Sequence, residues 1–310
     1  MNFHQMNNKI IFKEVGIIFL LFLVFSCKTK NEIADVKTIE DVNYIPYYLK
    51  VYEADSLFII GDYERSHGIL DSLFKKFEPI EIQGYYEYSN YVFAAVLTGK
   101  TENIKKIAKK AYTDNGGLNS QQLKIVNKLD SIERIIGFSE KEKNVFIASY
   151  NGKINKELRK LVDKTLKEDQ SVRAENFKTV EELGEMAKAH EPVIKGIFDK
   201  YGYPSTKKIG FGDNLVAVFM HADLGFKENY LLPKLLDYIK KGEDTPDAYT
   251  NTYDKWHLHK TGNYYYSNNS SILQGKELDS ARESIGLPHK NYVRWRNKMI
   301  YDEYKKYESK

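Results

Sequence analysis

From residue 44 to residue 77 the apolar positions recur at helical spacing. Leu49, Tyr52, Leu57 and Ile60 precede Gly61-Asp62-Tyr63, and Ile69, Leu70, Leu73 and Phe74 follow it. The pattern predicts helix, tight turn, helix. A second pair of this form runs over residues 83–112 about Thr98-Gly99-Lys100, and a further helix over 120–136 leads to Gly137-Phe138. Asn151-Gly152 reads as a break in the chain. Beyond it, helical periodicity returns over residues 154–167, 180–201, 214–222, 230–241, 247–258, 278–285 and 292–307. Thr179 with Glu182 three residues on is a capping box, and Pro204 ends the helix that the box opens. Residues 260–275 are rich in Asn, Ser, Gly and Tyr and read as a loop or small hairpin, and strand signals are scarce elsewhere. The expectation is a mainly all-α chain, with a repeat-like helical domain over 44–150 and a mostly helical domain over 151–310.

The segment ADSLFIIGDYERSHGILDSLFKKF resembles a tetratricopeptide repeat, in which a small turn residue, here Gly61, lets two antiparallel helices pack closely. The second turn glycine, Gly99, falls a few residues beyond the roughly 34-residue period of such repeats. Two degenerate repeats with a capping helix are a plausible minimum array. A generic helical bundle fits the same pattern.

The N-terminus carries different information. Polar residues with Lys9 and Lys13 lead into an apolar stretch from Ile17 to Phe25, too short for the roughly 20 helical residues that span a bilayer. The ending Leu23-Val24-Phe25-Ser26-Cys27 resembles a bacterial lipobox, whose cysteine thiol is acylated before cleavage. This implies a signal peptide over 1–26, a mature chain starting at lipidated Cys27, and a flexible tether over 27–43. The membrane is then a partner through diacylglyceryl and palmitate-type chains, which anchor stably where one chain alone does not. The location implied is the bacterial cell envelope, on the outer membrane and facing the periplasm or the cell surface.

Composition narrows the function classes. The 310 residues include 47 basic and 43 acidic side chains, a net of +4, so binding nucleic acid through bulk phosphate attraction is disfavoured. The single cysteine excludes an intrachain disulfide framework and a cysteine-rich zinc site. No cofactor fingerprint is present: phosphate-loop, dinucleotide, G-x-S-x-G and HExxH motifs are all missing.

Several segments, in order, resemble an uncharacterised bacterial family known as domain of unknown function 6624. They are Asp169-Gln170-Ser171-Val172-Arg173, Ile197-Phe198-Asp199-Lys200-Tyr201-Gly202-Tyr203-Pro204, Val218-Phe219-Met220-His221-Ala222-Asp223, Tyr230-Leu231-Leu232-Pro233, Tyr253-Asp254-Lys255 and Arg282-Glu283-Ser284-Ile285-Gly286-Leu287-Pro288. The chain departs from the family pattern at Met220, at Lys255 and at Asn263-Tyr264-Tyr265-Tyr266-Ser267. The resemblance implies no established activity.

The residues that could carry chemistry lie in these segments. His221 ends an apolar helix, and Asp223, two residues on, is placed to orient its imidazole for acid/base work or metal binding. The simpler reading is a histidine at the helix C-cap bonded to backbone carbonyls. Asp169 and Arg173, at i and i+4, suit a plain salt bridge, or with Gln170 they line a cleft shared with His221, where Arg173 would present its fork to an anion. Asp254 with His257 and His259 offers further ligand atoms, but on a helix the two histidines face different sides. No metal site is assigned. His190 reads as structural or exposed. The 24 tyrosines fit ligand-stacking faces or simple compositional bias. The leading functional expectation is a lipid-anchored binding or scaffolding module holding a protein or peptide on its helical repeats. The alternative is an envelope hydrolase or other enzyme built on His221, Asp223, Asp169 and Arg173.

Overall fold

A computed structural model of the chain describes residues 42–120, 127–174, 179–267 and 271–308. Cys27, its lipobox and most of the tether lie outside the described residues. Helix α1 (Ile45–Ile60) has Pro46 in its first turn, where the missing N–H costs nothing, and ends at Gly61 in the left-handed conformation. Asp62 caps α2 (Tyr63–Phe74) by accepting from the Arg65 N–H at 3.3 Å. Across this pair the Ser66 hydroxyl donates to Ala54 O at 2.8 Å, which small residues on both faces permit. Helices α3 (Glu87–Thr98) and α4 (Ile104–Asn115) form the second pair. Consecutive helices pack in series, α1 on α2, α2 on α3 and α3 on α4, the stacking order of a helical repeat.

Helix α5 (Leu129–Ile136) covers the later part of the helix expected over 120–136, and residues 121–126 lie outside the described residues. Helix α6 (Glu140–Lys153), opened by a capping box of Ser139 and Glu142, packs on α4. It runs straight through Asn151-Gly152, so the break expected there falls instead at Ile154-Asn155. A glycine costs a helix interior only about 1 kcal/mol, whereas Asn155 Oδ1 accepts from the Leu158 N–H at 2.9 Å and opens the next helix.

The described residues of the second half are mostly helical. Helix α7 (Lys156–Ala174) precedes α8 (Val180–Tyr201), whose Thr179–Glu182 capping box forms as its sequence requires. Short helices α9 (Thr206–Ile209), α10 (Val216–His221) and α11 (Leu224–Phe226) lead into a π-turn, Lys227–Leu231, and α12 (Leu232–Lys241). Helices α13 (Pro246–Thr261), α14 (Gly275–Glu283) and α15 (Lys290–Glu308) complete the chain. In the 260–275 tract the described residues form one isolated parallel bridge, Tyr264 to Ser271, and no strand.

The chain from Val42 onward packs as one unit. The Tyr48 hydroxyl lies 2.9 Å from Ile239 O and 2.6 Å from Asp244 O, at the end of α12. Two turns further along the same face Asp55 meets Arg296 of α15. Both Tyr48 and Asp55 are buried, so the first helix supplies part of the core on which the last helices close. Among the described residues no helix is long and apolar enough to cross a membrane.

Candidate acid/base site

Three helices bring the site together. Asp169, Gln170 and Arg173 lie in the last turns of α7, His190 lies within α8, and His221 is the last residue of α10, which packs on both α7 and α8. Asp169 is 1% exposed, and its carboxylate is the hub. Oδ2 accepts from Gln170 Nε2 at 2.8 Å and sits 2.7 Å from His221 Nδ1. Oδ1 accepts from Arg173 Nε at 3.3 Å. Burial alone would raise the Asp169 pKa, but the His221 hydrogen bond and the His221 and Arg173 charges outweigh it and hold the carboxyl below its usual range. An ionised acceptor at that position requires the proton on His221 Nδ1. Nε2 is then the outward nitrogen, and it makes no hydrogen bond among the described residues.

The carboxylate that orients His221 is thus Asp169, 52 positions away in sequence, and not its near neighbour. Asp223 has a different task. Its Oδ1 accepts from the N–H groups of Gly225 at 2.8 Å and Phe226 at 3.3 Å, capping α11. Asp254 is likewise occupied: Oδ1 accepts from the N–H groups of Tyr265 at 2.9 Å and Tyr266 at 2.7 Å and pins the segment after α13. His257 Nδ1 is 2.7 Å from Asn263 O, while His259, two residues on in the same helix, is exposed. No three His, Cys, Asp or Glu among the described residues are grouped to hold a metal ion.

Two side chains join the site without a clear sequence cue. His190 is 3% exposed, and among the described residues neither ring nitrogen has a hydrogen-bond partner. Burial lowers its pKa, with the Asp169 charge opposing, so the ring is held toward its neutral form. A buried polar atom without a partner costs about 1–3 kcal/mol, and such atoms often mark a working site. Lys227 opens the π-turn and is 2% exposed. Burial, then the charges of Lys255 and Arg173, push its pKa down to about 8, against the pull of Asp223. Lysine is almost never so buried without a carboxylate partner, and Lys227 has no ion pair among the described residues.

The tyrosines near 253–266 stack on one another, with Tyr265 and Tyr266 ring centres 4.8 Å apart and Tyr253 and Tyr266 5.2 Å apart. They serve the packing beneath α13, since Tyr249 and Tyr266 are buried. No family model matches the chain, and no curated protein or solved structure matches it.

Proposed function

We propose that the chain is a lipid-anchored envelope protein whose C-terminal half is a hydrolase, with His221 as general base and Asp169 as the residue that orients it. The anchor rests on the lipobox ending at Cys27. The enzymatic reading rests on one observation, the 2.7 Å contact between His221 Nδ1 and a carboxylate that is 1% exposed. That contact turns Nε2 outward, where it can take a proton from water as the water attacks an ester or related bond. The negative Asp169 stabilises the imidazolium so formed, and the ring then returns its proton to the leaving group. Among the described residues Arg173 uses only Nε, on Asp169, so its Nη groups are available to the charge that develops on the substrate. Asp223 takes no part in proton transfer in this scheme. Purified protein tested on chromogenic phosphate and carboxylate esters should turn over at least one of them, and His221→Ala should lower that rate by about 100-fold or more. Unchanged turnover in the variant, or none by the wild type, contradicts the proposal.

A second reading, a binding module on the helical repeats, is favoured by a groove of about 670 Å³ along α1 and α2. Its floor includes Ile69, Leu73 and Phe77, and its rim carries Lys50, Arg65 and Glu64. An apolar peptide segment with mixed charge suits such a groove. A photocrosslinker at position 69 should give a discrete product in intact envelopes, and Gly68→Trp, which builds into open space, should remove it. Absence of a discrete product contradicts this reading.

A further inference from the structure

A cavity of about 90 Å³ lies where the α2–α3 connection meets the segments that follow α8 and α12. None of the residues grouped around His221 lines it. Two carboxyl groups do, Glu81 at 2% exposure and Asp244 at 7%. Each commits one oxygen to a backbone N–H: Glu81 Oε2 accepts from Tyr88 at 2.9 Å, and Asp244 Oδ1 accepts from Thr245 at 2.7 Å. Asp244 Oδ2 has no hydrogen-bond partner among the described residues, although the Tyr203 hydroxyl approaches the same carboxyl. Buried acceptors are almost always satisfied, so an orphan carboxylate oxygen in the wall of a cavity points to a donor that belongs there. Glu81 also holds φ at +60°, a backbone state that a residue with a Cβ adopts only where its surroundings require it. The charges already present do not meet the need. Lys207, the only cation in the lining, donates to Pro79 O at 2.7 Å and makes no ion pair among the described residues. Glu243, the third acid of the lining, is paired with Lys208 at 3.1 Å.

We propose that this cavity is a binding site for a small primary amine, whose ammonium group sits between Glu81 and Asp244. An ammonium carries one charge and three N–H donors. It can donate to Asp244 Oδ2 and Glu81 Oε1 and keep the third donor for Gln83, which lies exposed at the edge of the same cavity. Ile80 and Ile209, buried in the lining, suit the methylene groups next to the nitrogen. A metal ion fits less well, since no three His, Cys, Asp or Glu among the described residues are grouped to hold one. Burial favours the protonated form of both carboxyls, and a cation placed between them opposes it, so the amine binds with release of carboxyl protons. The site does not depend on the reading of His221 as a base.

The test titrates the full-length chain with butylammonium chloride and reads the binding heat. Tetramethylammonium, which has the charge but no N–H, and butanol, which has the chain but no charge, are the controls. Butylammonium should bind, and both controls should bind at least about tenfold more weakly. Glu81→Gln and Asp244→Asn keep the side-chain shapes and remove one charge each, and each should weaken butylammonium binding by about tenfold or more. Gln83→Trp, at an exposed position, leaves both acids in place and should obstruct the cavity to a similar extent, so the outcome does not hang on how well either buried variant folds. Absence of butylammonium binding, equal binding of tetramethylammonium, or unchanged affinity in both acid variants overturns the site. Binding seen only in Lys207→Met would show that this lysine fills the cavity itself, and would overturn it as well.

Discussion

Asp55 on α1 and Arg296 on α15 are 241 positions apart in sequence, yet Asp55 Oδ2 lies 2.8 Å from Arg296 Nε. Both side chains are almost fully buried, at 1% and 7% exposure. The Tyr292 hydroxyl also donates to Asp55 Oδ2 at 2.5 Å, and the guanidinium lies 4.5 Å from the Tyr85 ring centre. Burial raises the Asp55 pKa against the pull of Arg296, so the ion pair is held at a desolvation cost and serves to fix where the last helix docks.

Removing one partner strands the other. Asp55→Ala should lose about 3–5 kcal/mol of stability, because a buried guanidinium loses its carboxylate, whereas the double variant Asp55→Leu with Arg296→Met should recover most of that loss. Denaturant unfolding of the three proteins measures this. Equal loss in the single and double variants would show that the pair does not act as a unit.

Glu87, at the start of α3, accepts from the Tyr47 hydroxyl at 2.8 Å and from the Ile82 N–H at 2.6 Å. Burial pushes its pKa from 4.5 up to about 7, and the neighbouring buried Glu81 is raised as well. The folded state therefore binds a proton more tightly than the unfolded state does. Stability is full below about pH 4.5 as far as Glu87 is concerned and is lost as pH rises through about 7. Thermal unfolding across that range should show a fall on the order of 2 kcal/mol, which Glu87→Gln removes by keeping the side chain neutral. A wild-type profile that is flat, or that rises with pH, would refute this assignment.

Gly286 has φ +82°, and a Cβ there would lie 2.7 Å from a ring carbon of Tyr48, the side chain that binds the end of α12. Gly286→Ala should cost about 1–2 kcal/mol for the left-handed backbone and about 1–3 more for displacing the ring. Tyr48→Phe with Gly286→Ala should unfold still more easily, since the Oη contacts to Ile239 O and Asp244 O are lost too. An unchanged midpoint in Gly286→Ala would show that Tyr48 is free to move.

The helical nature of the chain was legible because its cues are local. The α8 bounds, Val180–Tyr201, follow from a capping box at one end and the residue before Pro204 at the other. The turns at Gly61 and Gly99 follow from left-handed glycines after apolar faces. Asn151-Gly152 misled because a weak helix former does not stop a helix whose next strong cap, Asn155, lies further on. The helical setting of Asp254 also explains why His257 and His259 diverge.

The site was legible only in part. Asp169, Arg173 and His221 stand out by residue type, but which carboxylate meets the imidazole depends on how α10 packs on α7. Proximity in sequence favoured Asp223, whose backbone hydrogen bonds at the start of α11 take it away. Lys227 gave no cue, since one lysine between Phe226 and Glu228 looks like any surface residue until the π-turn turns it inward. A glance at the helical phase would not have found it, because the π-turn shifts that phase.

The most direct test of the Asp169–His221 arrangement is the tautomer of the His221 ring, read by long-range nitrogen-proton NMR on labelled protein with His221→Ala for assignment. The arrangement predicts that the neutral ring carries its proton on Nδ1 and leaves Nε2 unprotonated, and that Asp169→Asn loses this preference. A proton on Nε2 in the wild type, or the same spectrum in Asp169→Asn, would contradict it.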